Sequence, residues 1–392
     1  MEKGQIVNLF LEKNMTINPL GLDYFYQNPE KIQFFFKTVE QFKEKPTTVD
    51  IDFIKRVINT QTGIEEVKHR IFDKRKISVD DVSKTLSERY EKIRKYFSNR
   101  IELVNTISIN RITQNTTGLS LVVMVREKDE NNKTLTVEDL TGETTIHVDA
   151  SSLTSVVSDE IIGVVCEKIG DKIKALNVLW PDIPLKREIP KTEENIYCMF
   201  LSDLHLEQDF EEKTDKIIKE IQSLNYEQFY IFLFGENFAN KKTLGDFVKK
   251  MPANSKIVVI QNNSQTFEGE DILYFSSPAF LSIHKKIKLL LCDSKHFSSY
   301  KEIWHDKKPE EIMLELLKKR HLDPIFEFEK VSLENNFIID IVPDIFVSGN
   351  FGTAGIKNHK GTTIISCGNF LSEPVYWIVN LATRESIKIN LV

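Results

Sequence analysis

The chain has 392 residues, enough for two or three domains, and its 41% hydrophobic and 28% charged content suits a globular protein with real cores. A formal net charge of -6 excludes a chain built as a whole to bind polyphosphate, so nucleic-acid contact would need a local basic patch or a partner. Cys166, Cys198, Cys292 and Cys367 form no CxxC pair, which argues against a cysteine-based zinc site and for free buried thiols in a reducing compartment.

No apolar run reaches membrane-spanning length, and "MEKGQIVNLF" lacks a signal-peptide pattern. A cytoplasmic protein with no membrane partner is expected. In chain order, residues 1–60 read as an N-terminal helical domain: "QIVNLFLEKN" and "EKIQFFFKTVEQF" space apolar residues by three and four, with "NPLG" as the turn between them. Polar "KEKPTT" then breaks the pattern. Residues 61–99 read as a basic helical linker, in which "SVDDVSKTLSERYEKIRKYF" has Ser78 as N-cap and Asp81 three positions on. Its apolar stripe is Val82, Leu86, Tyr90, Ile93 and Phe97. A solvated helix face is the preferred reading of the positive charge here, ahead of nucleic-acid contact.

Over residues 100–188 the period changes to two. The short strands are "IELVNTISI", "SLVVMVRE", "TTIHVDA", "IIGVVCEKI" and "KIKALNVLW", separated by turn signals such as "NTTG" and "ENNK". Five such strands suggest an OB-fold β-barrel. Acids outnumber bases and aromatics are almost absent between Ile101 and Leu179, so a protein-docking barrel is preferred to a nucleic-acid reader. "PDIPLKREIPKTEEN" is a proline-punctuated linker with a boundary near residue 190. Strands and helices then alternate over residues 196–392, giving an α/β sandwich. The expected fold class is therefore multidomain: helical, barrel, sandwich.

In "MFLSDLHLEQDF" (199–210), an apolar run ends in Asp203 and His205, two apart at the C-terminal end of a predicted strand. Alone, Asp-x-His is a weak metal signal. Further loops follow later strands: "LFGEN", "IQNNS", "LLLCDSKH" and "FVSGNFGTAG". Their order resembles the calcineurin-like metallophosphoesterases, whose corresponding loops carry GD, GNH(D/E), a lone His and GHxH and bind two divalent cations. Outside these loops, "VLWPDIP" (178–184), "LLKKRHLDPI" (316–325), "VPDIFVSG", "TAG" and "NHKGTTIISCGNF" resemble the small subunit of the archaeal family-D DNA polymerase. The resemblance covers essentially the whole chain and is most specific from about residue 160 to 370. It implies a calcineurin-like phosphoesterase domain over 196–392, a 3′–5′ exonuclease in the family, and a separate large catalytic subunit as partner. DNA would be met through that complex, and a sliding clamp or primase at most indirectly. "EKIQFFF" lacks the usual clamp-motif spacing.

Carried over residue by residue, the resemblance implies a degenerate site. Asp203 and His205 stand at the first ligand pair and Asn262 at the ligand Asn. Glu236 replaces the bridging Asp, Asn263 the catalytic His, Ser264 the acid after it and Asp293 the lone His. The GHxH is Gly349-Asn350-Phe351-Gly352. A two-metal site holds its ions about 3.5–4 Å apart. The extra bond of Glu236 displaces its carboxylate by about 1.5 Å, against a tolerance of about 0.2 Å. Gly352 offers no donor, Asn350 only a neutral oxygen, and Asn263 cannot protonate a leaving oxygen.

No cofactor is expected, and at most one weakly bound Mn or Mg ion held by Asp203, His205, Glu236, Asn262 and Asp293. Without an ion, clustered carboxylates would repel unless a base such as Lys295 or His296 intervenes. Asp203 and His205 also have a purely structural reading, as backbone-bonding and capping groups. His321 is expected to pack or hydrogen-bond away from the metal loops. The expected function is an accessory polymerase small subunit that docks and stabilises the large subunit, its own exonuclease lost. The alternative is an active metal-dependent 3′–5′ proofreading exonuclease, and a third reading is a stand-alone single-strand binder.

Overall fold

The computed structural model describes residues 2–29, 31–40, 46–59, 63–68, 78–206, 209–235, 241–252, 254–261, 272–294, 297–327, 337–370 and 372–390. The N-terminal region forms α1 (Lys3–Glu12), β1 (Thr16–Ile17), α2 (Pro19–Gln27), α3 (Lys31–Val39), β2 (Thr48–Val49) and α4 (Ile51–Asn59). Asn18 starts α2 by accepting the Gly21 N–H at 2.7 Å, with Pro19 at the first helical position. Phe10, Phe25 and Phe35 bury the facing stripes, with ring centroids 5.2 Å apart for Phe25 and Phe35. The parallel β1–β2 pair, which periodicity did not reveal, closes this unit.

The stretch read as a helical linker holds both a strand and a helix: β3 (Ile64–Lys68) and α5 (Val79–Arg94). Helix α5 has the expected Ser78–Asp81 capping box, and Tyr90, Ile93 and Phe97 are buried. Strand β3 was not foreseen. Its pairing partner lies more than 200 residues away, so local pattern carried no signal for it.

A closed five-stranded barrel follows: β4 (Gly118–Asp129), β5 (Thr134–Asp139), β6 (Gly142–His147), β7 (Ile161–Ile169) and β8 (Lys172–Leu179), ordered β4-β5-β6-β8-β7, with α6 (Ala150–Ser155) after β6. The expected strand "IELVNTISI" is instead a turn-rich segment ending in a 3-10 turn at Ile109–Arg111, with one bridge from Thr106 to Ser120. Its Leu103 and Ile109 are buried by packing, not by a ladder. The strand that takes its place, β5, buries Leu135 and Val137 in strict alternation. Asp139 Oδ1 closes the β5–β6 hairpin by accepting the Thr141 and Gly142 N–H groups.

The C-terminal body contains β9 (Ile196–Ser202), α7 (Phe210–Ser223), β10 (Gln228–Phe234), α8 (Lys241–Lys250), β11 (Ser255–Gln261), β12 (Ile272–Ser276), β13 (Ala279–Ile283), β14 (Ile287–Asp293), α9 (Tyr300–Ile303), α10 (Pro309–Lys319), β15 (Ile345–Gly349), β16 (Gly355–His359), β17 (Thr362–Ser366), β18 (Val375–Asn380) and β19 (Ser386–Asn390). Two six-stranded sheets result, ordered β12-β11-β10-β9-β18-β19 and β16-β17-β15-β14-β13-β3. They share one apolar core, including Phe200, Phe232, Leu291 and Val347. Ile64 of β3 reaches that core, so the linker strand completes the second sheet.

The barrel and the body are joined through "VLWPDIP" (178–184) and "LLKKRHLDPI" (316–325). Lys319 Nζ sits 2.8 Å from Glu160 Oε2, donates to the Ser155 carbonyl at 2.8 Å and lies over the Trp180 and Trp304 rings. Trp180 Nε1 donates to the same Glu160 carboxylate at 3.1 Å. Arg320 bonds the Ile339 and Asp340 carbonyls and covers the Tyr96 ring. Asp182 accepts from His359, Lys360 and the Ile183 N–H. Arg89 of α5 bonds the Asp159 carbonyl at 2.8 Å and the Pro324 carbonyl at 2.5 Å. His321, as expected, hydrogen-bonds: its Nδ1 accepts the Asp323 N–H at 3.1 Å. Among the described residues, no helix is long and apolar enough to cross a membrane.

Candidate functional site

Strands β9 and β10 run parallel to each other, as do β14 and β15, and the two pairs bring the predicted loops to one edge of the sandwich. Asp203 follows β9 and is 2% exposed. Its N–H donates to the Phe234 carbonyl at 3.0 Å, tying the β9 and β10 loops. Its Oδ2 accepts the Ser202 hydroxyl at 2.7 Å. Gly235 is the only residue type that fits opposite: it has φ +70°, and a Cβ there would lie 2.2 Å from Asp203 Oδ1.

The two sheets meet at Ser202, whose Oγ also accepts the Asn350 N–H at 2.7 Å. Asn350 Oδ1 in turn accepts Asn369 Nδ2 at 3.1 Å. Just before Asn350, a Cβ on Gly349 would fall 2.0 Å from the Cβ of Phe234, so the β10 and β15 ends touch there without side-chain spacing. Asp293 ends β14 in register with Gly349, is 5% exposed, and anchors its N–H on Ser277 Oγ at 2.7 Å. His205 is half-buried, and its carbonyl and that of Leu204 accept from Lys213 Nζ at 3.4 and 3.0 Å.

Asp203, His205 and Asn350 all have left-handed backbones, with φ of +53°, +44° and +50°. Asp, Asn and His tolerate this region best among residues with a Cβ, though at a cost of order 1–3 kcal/mol each. Such conformations concentrate at functional loops.

The structure thus brings Asp203, Asp293 and Asn350 to one edge, with His205 in the loop beside them. Glu236, Asn262, Asn263, Ser264, Lys295 and His296 lie outside the described residues. Among the described residues, no group of three or more His, Cys, Asp or Glu side chains could hold a metal ion. Gly352 has φ +65°, and a Cβ there would meet Lys301 Nζ at 3.3 Å. Burial pushes the Cys367 thiol well above its ordinary range, and the Asp203 charge adds to that. Reading the sequence alone missed Ser202, Asn369, Lys213 and Lys301. The first two stand inside quoted motifs, whereas Lys301 lies 50 residues from its neighbour Phe351 with no local pattern to flag it.

No protein-family model matches the chain. Curated relatives do. The DNA polymerase II small subunit of Archaeoglobus fulgidus is 25% identical over 354 residues, covering 76% of this chain and 71% of the relative. This chain is similar to the archaeal DNA polymerase II small subunits. The Methanothermobacter thermautotrophicus small subunit is 24% identical, covering 75% of this chain and 73% of its own. That of Thermoplasma acidophilum is 20% identical over a wider span, 96% of this chain and 88% of the relative. A match of that width takes in both the barrel and the loop edge, so the small-subunit likeness belongs to the joined assembly and not to one module.

Proposed function

We propose that this chain is the accessory small subunit of a replicative family-D DNA polymerase, docking and stabilising a large catalytic subunit, with its own phosphoesterase chemistry lost. The single observation that carries the reading is the breadth of the likeness to polymerase small subunits, up to 96% of the chain. The closed barrel, with α6 between its third and fourth strands, supports an OB-fold. The two-sheet body with its loops at one edge supports a calcineurin-like phosphoesterase sandwich. The domains on this reading are residues 1–60, a linker over 61–99, the barrel over 100–188 and the sandwich over 196–392.

Loss of the chemistry follows from the donors. Gly352 has no side chain, Asn350 offers an amide already engaged by Asn369, and Asp293 brings a carboxylate where the family has imidazole. At most one weakly held Mn or Mg ion remains on this reading. Affinity purification of the tagged chain from its native cells tests the docking role: a stoichiometric large polymerase subunit is expected, and its absence from the purified material contradicts the proposal.

One observation favours a second reading, a working 3′–5′ proofreading exonuclease. Asp203 and His205 keep costly left-handed backbones, as a functioning ligand loop would.

A further inference from the structure

Lys301 stands beside the loop that closes the candidate site. Its ammonium lies 4.7 Å from the centre of the Phe351 ring and 3.3 Å from where a Cβ on Gly352 would be. Two buried aromatic anchors, Tyr300 and Trp304, flank it and fix α9 in the core, while Phe351 is held edge-on by Phe297 at 4.8 Å. No carboxylate among the described residues comes within 4.0 Å of Lys301 Nζ. Partial burial lowers its pKa and no neighbouring charge offsets the effect. The family resemblance puts a metal-binding imidazole at position 352. Here that position is a glycine, and Pro309 Cγ and the Lys301 ammonium lie 3.0 and 3.3 Å from where its Cβ would be. An ammonium has three donors and no acceptor, so it cannot ligate a cation and opposes one by charge. What it can bind is an anion. A second lysine, Lys213, bonds the Leu204 and His205 carbonyls in the same loop cluster, its ammonium over the Phe370 ring next to Asn369.

We propose that Lys301 converts the closing loop of the former metal site into a metal-independent contact for a DNA backbone phosphate. The inference rests on the reading of the chain as a polymerase subunit, which supplies DNA as the anion within reach. Phe351 is fully buried and cannot stack a base, so the contact is to phosphate and carries no sequence preference.

The test is binding of a fluorescein-labelled single-stranded deoxyoligonucleotide by the full chain, in EDTA, followed by anisotropy across a salt series. Lys301→Ala is expected to weaken binding on the order of fivefold at low salt, and to reduce the salt slope by about 0.7, the share of one phosphate contact. Lys301→Arg should restore both. Lys286→Ala, at an exposed hairpin and paired with Glu193, is the control and should change neither beyond scatter. Unchanged affinity and slope in Lys301→Ala overturn the proposal, as does a parent chain that does not bind the oligonucleotide at low salt. Either failure leaves the docking role standing, because co-purification with a large subunit is read separately.

Discussion

Lys319 Nζ and Glu160 Oε2 lie 2.8 Å apart with both side chains sealed from solvent, at 0% and 1% exposure. This ion pair joins the body to the barrel. Burial pushes the Glu160 carboxyl up and the Lys319 ammonium down, while each opposes the other's shift. Lys319→Met leaves a desolvated carboxylate facing Trp180 and the Val157 N–H alone. It should cost about 3–5 kcal/mol in denaturant unfolding, and Lys319→Met combined with Glu160→Gln should recover part of that loss. A single variant within about 0.5 kcal/mol of the parent would show that the pair does not hold the junction.

The junction should also be acid-sensitive through Asp182. Burial alone would raise its pKa, but hydrogen bonds from Lys360, His359 and the Ile183 N–H outweigh this, and the carboxyl is held below its ordinary value. A depressed carboxylate contributes stability that is fully present above its unfolded pKa and is lost as pH falls through the folded one. The loss therefore begins below about pH 4. Unfolding free energies of the parent and Asp182→Asn should differ at pH 7 and converge as the pH drops through that window. Parallel curves would remove Asp182 from the account.

Two glycines at the loop edge should resist substitution. Gly349→Ala places a methyl 2.0 Å from the Phe234 Cβ, and neither strand end can give way without disturbing its ladder. A loss of about 1–3 kcal/mol is expected. Gly235→Ala adds positive-φ strain to a clash with the Asp203 carboxylate and should lower the thermal midpoint at least as far. An alanine tolerated at either position would mean that the loops do not meet as described.

All four cysteines are buried, and desolvation raises the Cys166 thiol to about 12, with Cys198 and Cys367 pushed higher still. Since the thiolate is the reactive form, the native chain should show almost no fast reaction with a thiol reagent at pH 8 and four equivalents after unfolding. Rapid labelling of even one thiol in the native state would contradict the burial pattern.

Much of this architecture was legible in the sequence because its signals are local. The Ser78 cap, the helix "QIVNLFLEKN" and the strand "IIGVVCEKI" each report their own environment. What escaped was set at a distance. Strand β3 owes its state to β13, and β5 displaced "IELVNTISI" because ladder pairing, not apolar content, selects the fifth barrel strand. At the site, Asp203, Asp293 and Asn350 were reached through the family resemblance, carried over onto loops at strand ends. The hydroxyl of Ser202 that joins two loops, and the ammonium of Lys301, were not. Their meaning depends on which side chains the two sheets bring face to face.

The most direct test of the account concerns cleavage. The chain assembled with its large subunit is given a primer with a mismatched 3′ end and millimolar manganese, and nucleotide release is compared with that of the Asp203→Ala assembly. The account predicts equal, background release from both. Manganese-dependent trimming by the parent that Asp203→Ala abolishes would contradict it.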